Sequence, residues 1–341
     1  MPHYERYIDP GSHPLTADLV ARLERAEDQV RELSVRLKAL EDISAPARPR
    51  PDADLRKLGT SFSAQIFDTR GSFASIDDQI LEKDTLLHHP KKLGMKFYAY
   101  SSLRHGEPLH IVFHGAMVSG TWFPRFERVR SLRSEGLSFC SIADPSIQLD
   151  LGLKLAWYAG HDGLDPMDWI VELVQQLVEV AEPSQLVFVG SSGGGFASLR
   201  ASQKFPGSLA FVTDPQTIVT NYHQPQVSRL LQVGFDGFDS NAALETYGER
   251  LSAPFNYEVG GVSNYVYYAQ HRWDKFHIEN HLKPFASVFG VSEVDRDVDS
   301  ERFKLVLFDK GKHGPLSPDQ FNEHLALAEE WHREKLSAIS R

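Results

Sequence analysis

The residues best suited to chemistry are Gly190-Ser191-Ser192-Gly193-Gly194, which form the pattern G-x-S-x-G. An apolar run precedes them and helix-forming residues follow, so the pattern lies between a strand and a helix. In that setting the serine occupies a strained turn, and small residues two places before and after it let strand and helix pass each other. The pattern predicts Ser192 as a nucleophile between Gly190 and Gly194, with the Gly193 N–H beside any oxyanion that forms.

Other glycine-rich loops make demands that this stretch does not meet. A Walker-type phosphate loop needs a Lys-Ser/Thr pair after its last glycine, and no lysine follows until Lys204. A dinucleotide-binding loop needs G-x-G-x-x-G, which residues 190–195 do not supply in any register. A structural turn without chemistry remains as the alternative.

A serine nucleophile needs a general base within hydrogen-bond reach. His313 lies five residues after Phe308, which ends the last predicted strand, and it precedes the C-terminal helix. We predict His313 as the base, and a solvent-exposed loop histidine is the alternative.

The base in turn needs an orienting carboxylate. Asp274 follows the penultimate predicted strand, and Asp214 follows the strand after the nucleophile. Asp309 adjoins His313 too closely in sequence to reach its far side. We favour Asp274, with Asp214 as the rival, which gives the chain order Ser192, Asp274, His313.

A second oxyanion donor is expected from the loop after an early strand. The predicted strand Leu109–Phe113 is followed by a loop that opens on His114. The N–H of Ala116, or in second place that of Met117, would then join Gly193 in holding the oxyanion. We expect His114 to shape this loop.

His277 and His281 have the four-residue spacing of metal ligands on a helix, and Asp274 lies three residues before His277. Glu279 and Asn280 do not make the H-E-x-x-H pattern, and the carboxylate already has a role. We therefore predict no metal and no other cofactor, and interpret both histidines as polar residues near the site.

The composition narrows the class of protein. The chain has 341 residues, 41% of them apolar, which suffices for one large domain with an appendage. A formal net charge of −10 argues against nucleic acid and anionic membranes as partners. With one cysteine, Cys140, no internal disulfide can form, and no apolar run has the length of a membrane span, so we expect a cytoplasmic protein.

Strands and helices alternate from about residue 53 onward. The predicted strands are Ser61–Phe67, Lys96–Tyr100, Leu109–Phe113, Leu137–Ile142, Gln185–Val189, Leu209–Val212, Tyr265–Ala269 and Lys304–Phe308. The predicted helices are Trp122–Ser134, Pro166–Ala181, Gly194–Lys204 and Pro318–Ser337. This alternation predicts an α/β fold with a doubly wound, mostly parallel sheet, whose chemistry gathers at the carboxyl ends of the strands.

Residues 16–43 follow a different pattern. Apolar residues recur at alternating spacings of four and three, at positions 19, 23, 26, 30, 33, 37 and 40. Arg22 with Glu27, and Arg36 with Glu41, are spaced to pair across a parallel seam. The pattern predicts a coiled-coil helix that joins copies of the chain, and an amphipathic helix packed on its own domain is the alternative.

The predicted organisation follows from these patterns. Residues 1–15 are expected to be disordered, 16–43 to form the coiled coil, and 44–52, which contain three prolines, to form a linker. The catalytic domain is predicted over 53–341. Within it, residues 215–261 are either a lid over the site or a surface excursion.

Over residues 60–337 the sequence resembles the α/β-hydrolase superfamily. The resemblance rests on the nucleophile elbow, Gly190–Gly194, and on the loop at His114, Asp274 and His313. That resemblance implies the same fold. The stretches FVGSSGGGFASL, HGA and AWYAG are similar to bacterial hydrolase-like proteins encoded with surface-polysaccharide or accessory-secretion machinery. Some of those proteins are thought to move acetyl groups on glycans, which implies an acylated glycan as one substrate class.

Together these features predict a serine esterase or acyltransferase that acts through an acyl-enzyme on a small-molecule or glycan ester. The alternative is a catalytically silent hydrolase-fold adaptor in a polysaccharide or secretion assembly, oligomerised by residues 16–43. Labelling by a serine-directed probe separates the two hypotheses.

Overall fold

The computed structural model describes residues 22–23, 25–30, 46–51, 68–70, 76, 78–92, 94–118, 121–309 and 316–339. By its contacts the chain divides into two units, Met1–Pro46 and Ala47–Arg341. In the first unit, residues 22–23 and 25–30 are helical and exposed. The predicted disordered N-terminus, the rest of the predicted coiled coil, the strand predicted over Ser61–Phe67 and His313 lie outside the described residues.

Within the described residues, the second unit contains a ten-stranded sheet. Its strands are β1 (Asp68–Arg70), β2 (Asp84–Lys92), β3 (Met95–Ser102), β4 (Leu109–Phe113), β5 (Ser138–Ile142), β6 (Leu186–Ser191), β7 (Leu209–Thr213), β8 (Tyr265–His271), β9 (Val298–Asp299) and β10 (Phe303–Phe308). Their order is β1-β2-β3-β5-β4-β6-β7-β8-β10-β9. Neighbours run parallel except at β2–β3, β3–β5 and β9–β10. The predicted mostly parallel α/β sheet is therefore confirmed.

The central strands are short apolar runs, and β4, β5, β7 and β8 are buried along their whole length. Val187 and Val189 of β6 belong to one hydrophobic cluster, whereas Phe188 between them belongs to another. Because successive side chains of a strand point to opposite faces, the sheet has a hydrophobic core on each face. Both faces are covered, as the apolar strands require.

Helices flank the sheet strands along the chain: α1 (Val129–Ser134), α2 (Pro166–Ala181), α3 (Gly193–Gln203), α4 (Gln224–Gly234), α5 (Ser240–Leu251), α6 (Ala253–Gly260), α7 (Lys275–His277), α8 (Lys283–Ser287) and α9 (Pro318–Ile339). A π-helical turn, Ile278–Leu282, joins α7 to α8. The start of α2 agrees with the prediction because Asp165 caps it, accepting a hydrogen bond from the Met167 N–H, and Pro166 fills the first turn.

The structure differs from the sequence prediction at the start of α1 and at strand β2. The helix predicted from Trp122 begins only at Val129, because Arg128 has φ 60°, a left-handed conformation that a right-handed helix cannot include. Strand β2 was not predicted, since its sequence DTLLHHPKK is largely polar and contains a proline. It pairs with β3 in antiparallel register.

The segment predicted to be a lid or an excursion, residues 215–261, contains helices α4, α5 and α6. Several of their apolar side chains are buried, and Val227, Leu230 and Tyr257 belong to the same hydrophobic cluster as Val187. The segment is thus an integral part of the core, and its Tyr222 reaches the candidate site described below.

Residues 47–51 pack against the loop that follows β5. The Arg48 N–H donates to Asp150 Oδ1 at 2.7 Å, and the Arg50 guanidinium donates to the carbonyl oxygens of Ile147 at 3.0 Å and Leu153 at 2.7 Å. This end of the proline-rich stretch is therefore tied to the second unit. Among the described helices, none is both long enough and apolar enough to cross a membrane.

Candidate functional site

Ser192 lies in a sharp turn between β6 and α3. It has φ 56° and ψ −124°, which places a non-glycine residue in a strained backbone region. The Ser192 N–H donates to the Thr213 carbonyl at 3.1 Å, and its own carbonyl accepts from the Gln216 N–H at 3.2 Å. The surrounding loops thus hold the strained turn, which has the geometry expected of a nucleophile mount.

The glycines of the motif are required by close backbone packing. A Cβ atom at Gly190 would lie 2.2 Å from the Gly194 carbonyl oxygen, and one at Gly194 would lie 2.4 Å from the Phe113 carbonyl oxygen. Neither position has room for any side chain. The sequence pattern G-x-S-x-G therefore follows from the way in which strand β6 and helix α3 cross.

Ser192 opens onto a cavity of about 330 Å³. The walls are apolar where β4, β6 and β7 end, and they carry three charged side chains, Arg125, Glu127 and Arg128. Arg125 is ion-paired with Glu127, and Arg128 stacks 4.2 Å from the centre of the Phe321 ring. The cavity can thus hold a small apolar group beside Ser192 and polar groups near its charged wall.

The loop after β4 lies directly against the elbow. A Cβ atom at Gly115 would lie 3.6 Å from the Ser192 Cβ and 4.0 Å from the Gly193 nitrogen. The Met117 N–H already donates to the Lys154 carbonyl at 2.6 Å, and the Ala116 carbonyl accepts from Arg125. Of the two predicted donors in this loop, Ala116 is the one whose N–H donates to no other group within the described residues, so it stays the stronger prediction.

His114 fixes the shape of that loop. Its Nε2 accepts a hydrogen bond from the Asp144 N–H at 3.0 Å, so the ring proton is on Nδ1, which lies 2.6 Å from the Gly115 carbonyl. Burial, assisted by the positive charge of Arg125, lowers the pKa of His114 to about 3. The imidazole is therefore neutral and structural, as its position in the sequence indicates.

Tyr158 and Trp157, in the AWYAG stretch at residues 156–160, contact the loops that form the candidate site. The Tyr158 hydroxyl accepts from the His114 N–H at 3.0 Å and donates to the Ile142 carbonyl at 2.8 Å. Trp157 and Tyr158 are buried and have φ values of 52° and 55°, two consecutive left-handed residues. Through Tyr158 this stretch holds the loop after β4. Through Trp157 it contacts Gln216, which binds Ser192.

A chain of close polar contacts runs from Asp274 to Ser192. Asp274 caps α7, accepting from the His277 N–H at 3.1 Å, and its carboxylate lies 2.8 Å from His277 Nδ1. Gln216 Nε2 lies 3.1 Å from His277 Nε2 and donates to Ser192 Oγ at 2.8 Å. The Trp157 indole donates to Gln216 Oε1 at 3.1 Å. The structure thus links Asp274 to the nucleophile side of the site through His277 and Gln216.

The rival carboxylate, Asp214, has another set of contacts. Its Oδ1 accepts from the His271 N–H at 2.6 Å and from Gln270 Nε2 at 2.9 Å, and its own N–H donates to the Ala269 carbonyl. Asp214 therefore ties the carboxyl ends of β7 and β8 together. Asp309 is exposed and accepts from the Trp273 indole at 2.7 Å.

His281 is fully buried beside His277, with ring centres 5.3 Å apart. Its Nδ1 lies 3.3 Å from the Thr217 N–H, and burial, followed by the charge of His277, lowers its pKa to about 3. Within the described residues, no group of three histidine, cysteine or acidic side chains could hold a metal ion. The pair thus lies next to the site as packed histidines.

Sequence reasoning did not single out Gln216, Trp157 or the charged wall of the cavity. Gln216 lies three residues past the end of β7, within the region where chemistry gathers. A glutamine there is neither a nucleophile, a general base nor an orienting carboxylate, so the triad pattern does not indicate it. His277 was interpreted as a residue near the site, which agrees with its position.

No family model and no curated protein matches the sequence. Solved structures are similar at low identity. A Glycosylation Associate Protein (Gap123) complex from Streptococcus agalactiae is 16% identical over 73% of this chain and 46% of that chain, with a TM-score of 0.52. The acylaminoacyl peptidase of Pyrococcus horikoshii is 12% identical over 74% of this chain and 41% of that chain, with a TM-score of 0.51. The capsule O-acetyltransferase of Neisseria meningitidis serogroup A is 14% identical over 74% and 96%, with a TM-score of 0.48.

The chain spans less than half the length of the first two of these structures, at 46% and 41%. At such identities the likeness concerns the fold. Strand order β5-β4-β6-β7-β8-β10, with a strained serine directly after β6, agrees with it. The predicted fold is therefore confirmed: this chain has the α/β-hydrolase fold.

Proposed function

We propose that the protein is a serine-dependent acyl-ester hydrolase or acyltransferase that works through an acyl-enzyme. The observation that carries the proposal is Ser192, held at φ 56° at the mouth of a cavity of about 330 Å³, with the loop at Gly115 beside it. A structural glycine turn does not need a strained serine at a cavity. Strain of this kind is typical of active sites.

In the proposed reaction, Ser192 Oγ attacks the ester carbonyl, and the serine proton passes to His313. The N–H groups of Gly193 and Ala116 stabilise the tetrahedral oxyanion, and each such donor contributes roughly 3–4 kcal/mol to lowering the barrier. The proton then goes to the leaving alcohol, and the acyl group stays on Oγ. Water or a second alcohol removes it, which makes the protein a hydrolase or a transferase. In this proposal Asp274 orients His313.

The substrate part of the proposal rests on the cavity and on the sequence resemblance. The apolar part of the cavity fits a short acyl group. The wall formed by Arg125, Glu127 and Arg128 offers polar partners for an alcohol rich in hydroxyl groups. An acylated glycan has this combination of an acetyl ester and a polar alcohol. A panel of short acyl esters and acetylated sugars tests this assignment.

One observation favours the alternative, a hydrolase-fold adaptor without catalysis. Gln216 lies between Ser192 Oγ and the Nε2 of His277, the histidine to which Asp274 binds. If His313 does not reach Ser192, the nucleophile has no base. In that case the fold would serve assembly, and residues 16–43 would supply the contact between copies.

A fluorophosphonate probe on the purified full chain distinguishes the two proposals. An active enzyme is labelled, and the label disappears in Ser192→Ala. Ser191→Ala is the matched control, because Ser191 also lines the cavity but ends β6 and has no strained backbone. Labelling that survives Ser192→Ala, or a folded wild type that is never labelled, contradicts the enzyme proposal.

A further inference from the structure

Gln216 is fully buried, and its side-chain amide contacts three functional groups. Its Oε1 lies 3.1 Å from the Trp157 indole nitrogen, and its Nε2 lies 2.8 Å from Ser192 Oγ and 3.1 Å from His277 Nε2. The acyl-transfer mechanism proposed above gives this residue no role. However, Gln216 contacts the oxygen that would attack the ester, so a role in the reaction has to be considered.

The orientation of the amide follows from its partners. An indole N–H can only donate, so the atom of Gln216 that faces Trp157 must be the carbonyl oxygen. Both amide hydrogens then point the other way, one to Ser192 Oγ and one to His277 Nε2. His277 Nε2 accepts, which leaves the ring proton on Nδ1, opposite the Asp274 carboxylate.

The backbone around Gln216 is fixed as well. Its N–H donates to the Ser192 carbonyl at 3.2 Å, and the next residue, Thr217, donates its hydroxyl to the His281 carbonyl at 2.7 Å. Trp157 is fully buried in its own left-handed loop. The amide is therefore held from both sides, and its hydrogen is aimed at Oγ before any substrate binds.

This contact has a chemical consequence for the nucleophile. Negative charge grows on Oγ as its proton leaves and before the bond to the acyl carbon is complete. A donor aimed at Oγ stabilises that charge, and its effect weakens once Oγ has become an ester oxygen. The N–H keeps its own hydrogen throughout, because the serine proton passes to the base. The amide acts on the nucleophile, whereas Gly193 and Ala116 act on the carbonyl oxygen.

The same arrangement separates the His277 ring from the Ser192 oxygen. Its Nε2 lone pair already accepts from Gln216, and the amide lies between the ring and Oγ. This arrangement favours a base from another element, and His313 has that role in the proposed reaction.

We propose, on the basis of the acyl-transfer function above, that Gln216 is a further catalytic residue that donates a hydrogen bond to the nucleophile oxygen. Trp157 and His277 are positioning residues that act through Gln216, because one holds the carbonyl and the other holds the second N–H of the same amide. The glutamine thereby raises the reactivity of Ser192 without exchanging a proton.

The test is the second-order rate at which the full chain reacts with a fluorophosphonate probe. Gln216→Met keeps the length of the side chain and removes the donor, and we expect labelling to slow by roughly 10- to 100-fold, the equivalent of one hydrogen bond to a charged atom. Gln216→Glu replaces the N–H with a carboxylate oxygen and should be at least as slow. Labelling of both variants at the wild-type rate overturns the proposal.

Gln203→Met is the matched control. Gln203 is also buried and donates to a backbone carbonyl, that of Gly261 at 3.3 Å, but it does not contact Ser192. Its labelling rate should equal that of the wild type. Melting temperatures by circular dichroism show which variants are folded, and Gln216→Glu serves as the test if Gln216→Met does not fold.

The positioning role of Trp157 has its own readout. Trp157→Phe should slow labelling, and the double variant with Gln216→Met should be no slower than Gln216→Met alone. Losses that multiply would mean that Trp157 acts independently, which contradicts its role. A folded wild type that is not labelled at all refutes the enzyme proposal itself, whereas equal labelling of the wild type and both Gln216 variants refutes the Gln216 proposal alone.

Discussion

Ser191 and Ser192 carry the same hydroxyl group on different backbones. Ser191 ends strand β6, whereas Ser192 has φ 56° and lies at the start of α3. The hydroxyl of Ser192 accepts from Gln216 and faces the cavity, so its surroundings differ from those of its neighbour. Residue identity alone does not separate the two serines, but the glycine spacing does.

The two candidate carboxylates make different contacts, which leads to a prediction at this scale. Asp274→Asn should keep the fold and lower turnover by about 10⁴-fold, because the histidine loses its orienting partner. Asp214→Asn should leave the turnover of the folded protein nearly unchanged and lower its stability, since Asp214 joins β7 to β8. Steady-state kinetics and denaturant unfolding of both variants measure these effects.

A crippling Asp214→Asn beside a nearly silent Asp274→Asn would show that the acid assignment is wrong. His277→Ala separates two routes by which Asp274 could act. If Asp274 serves only to hold His277, the two variants lose the same amount of activity. If it orients His313, Asp274→Asn loses far more.

At the residue scale, spacing predicted the strained turn at Ser192 and gave no indication of Gln216. The strained turn at Ser192 could be predicted because G-x-S-x-G reports a steric need. Gln216 could not, because a glutamine has no proton to exchange and its role depends on Trp157, which is 59 residues away in sequence. Long-range contacts of this kind leave no local pattern.

At the scale of elements, the crossing of β6 and α3 leads to a stability prediction. Gly190→Ala brings a Cβ atom within 2.2 Å of a backbone carbonyl oxygen, which cannot move without displacing the helix. We expect a loss of more than about 3 kcal/mol in the free energy of unfolding. Guanidinium unfolding followed by circular dichroism measures it.

Gly207→Ala is the control for this change. Gly207 has φ 78°, but a Cβ atom added there would meet open space. Alanine at this position should therefore lower the free energy of unfolding only through backbone strain, by about 1–2 kcal/mol. Equal losses at both glycines would show that conformation, and not close packing, explains the motif.

Two predicted elements have the bounds that the sequence indicated, one a buried apolar strand and the other a helix that a capping residue and a proline begin. Strand β4 has the predicted bounds, Leu109–Phe113, and α2 has the predicted bounds, Pro166–Ala181. The outer strands β1, β2 and β9 were not predicted; β2 is largely polar, and its register depends on β3. The helix predicted from Trp122 begins late for a different reason. Arg128 adopts a left-handed backbone conformation, which the helix propensity of arginine does not predict.

At the scale of the whole molecule, the predicted coiled coil at residues 16–43 (the arm) and the domain that follows it need separate tests. Leu23 and Val30, both at predicted seam positions, have 63% of their surface exposed in the single chain. Val30→Asp should therefore leave the fold of one chain unchanged and lower the mass of any oligomer, because a charge in the seam must be desolvated. Arg25→Asp, outside the seam, is the control, and light scattering gives the mass.

A shortened chain provides a second test of the arm. It should begin at Ala47, because Arg48 and Arg50 bind the loop after β5. We expect it to keep the reactivity of Ser192 and to lose part of its self-association. If the full chain, the shortened chain and Val30→Asp all have the mass of one chain, the seam does not join copies.

The central claim is that Ser192 carries the acyl group during turnover. Mixing the protein with an activated acetyl ester and quenching in acid traps such an intermediate for intact mass spectrometry, and peptide mapping then locates it. The account predicts one added acetyl group on the peptide that contains Ser192, and none in Ser192→Ala. Turnover of the ester without an adduct at Ser192, or with an adduct on another residue, would contradict it.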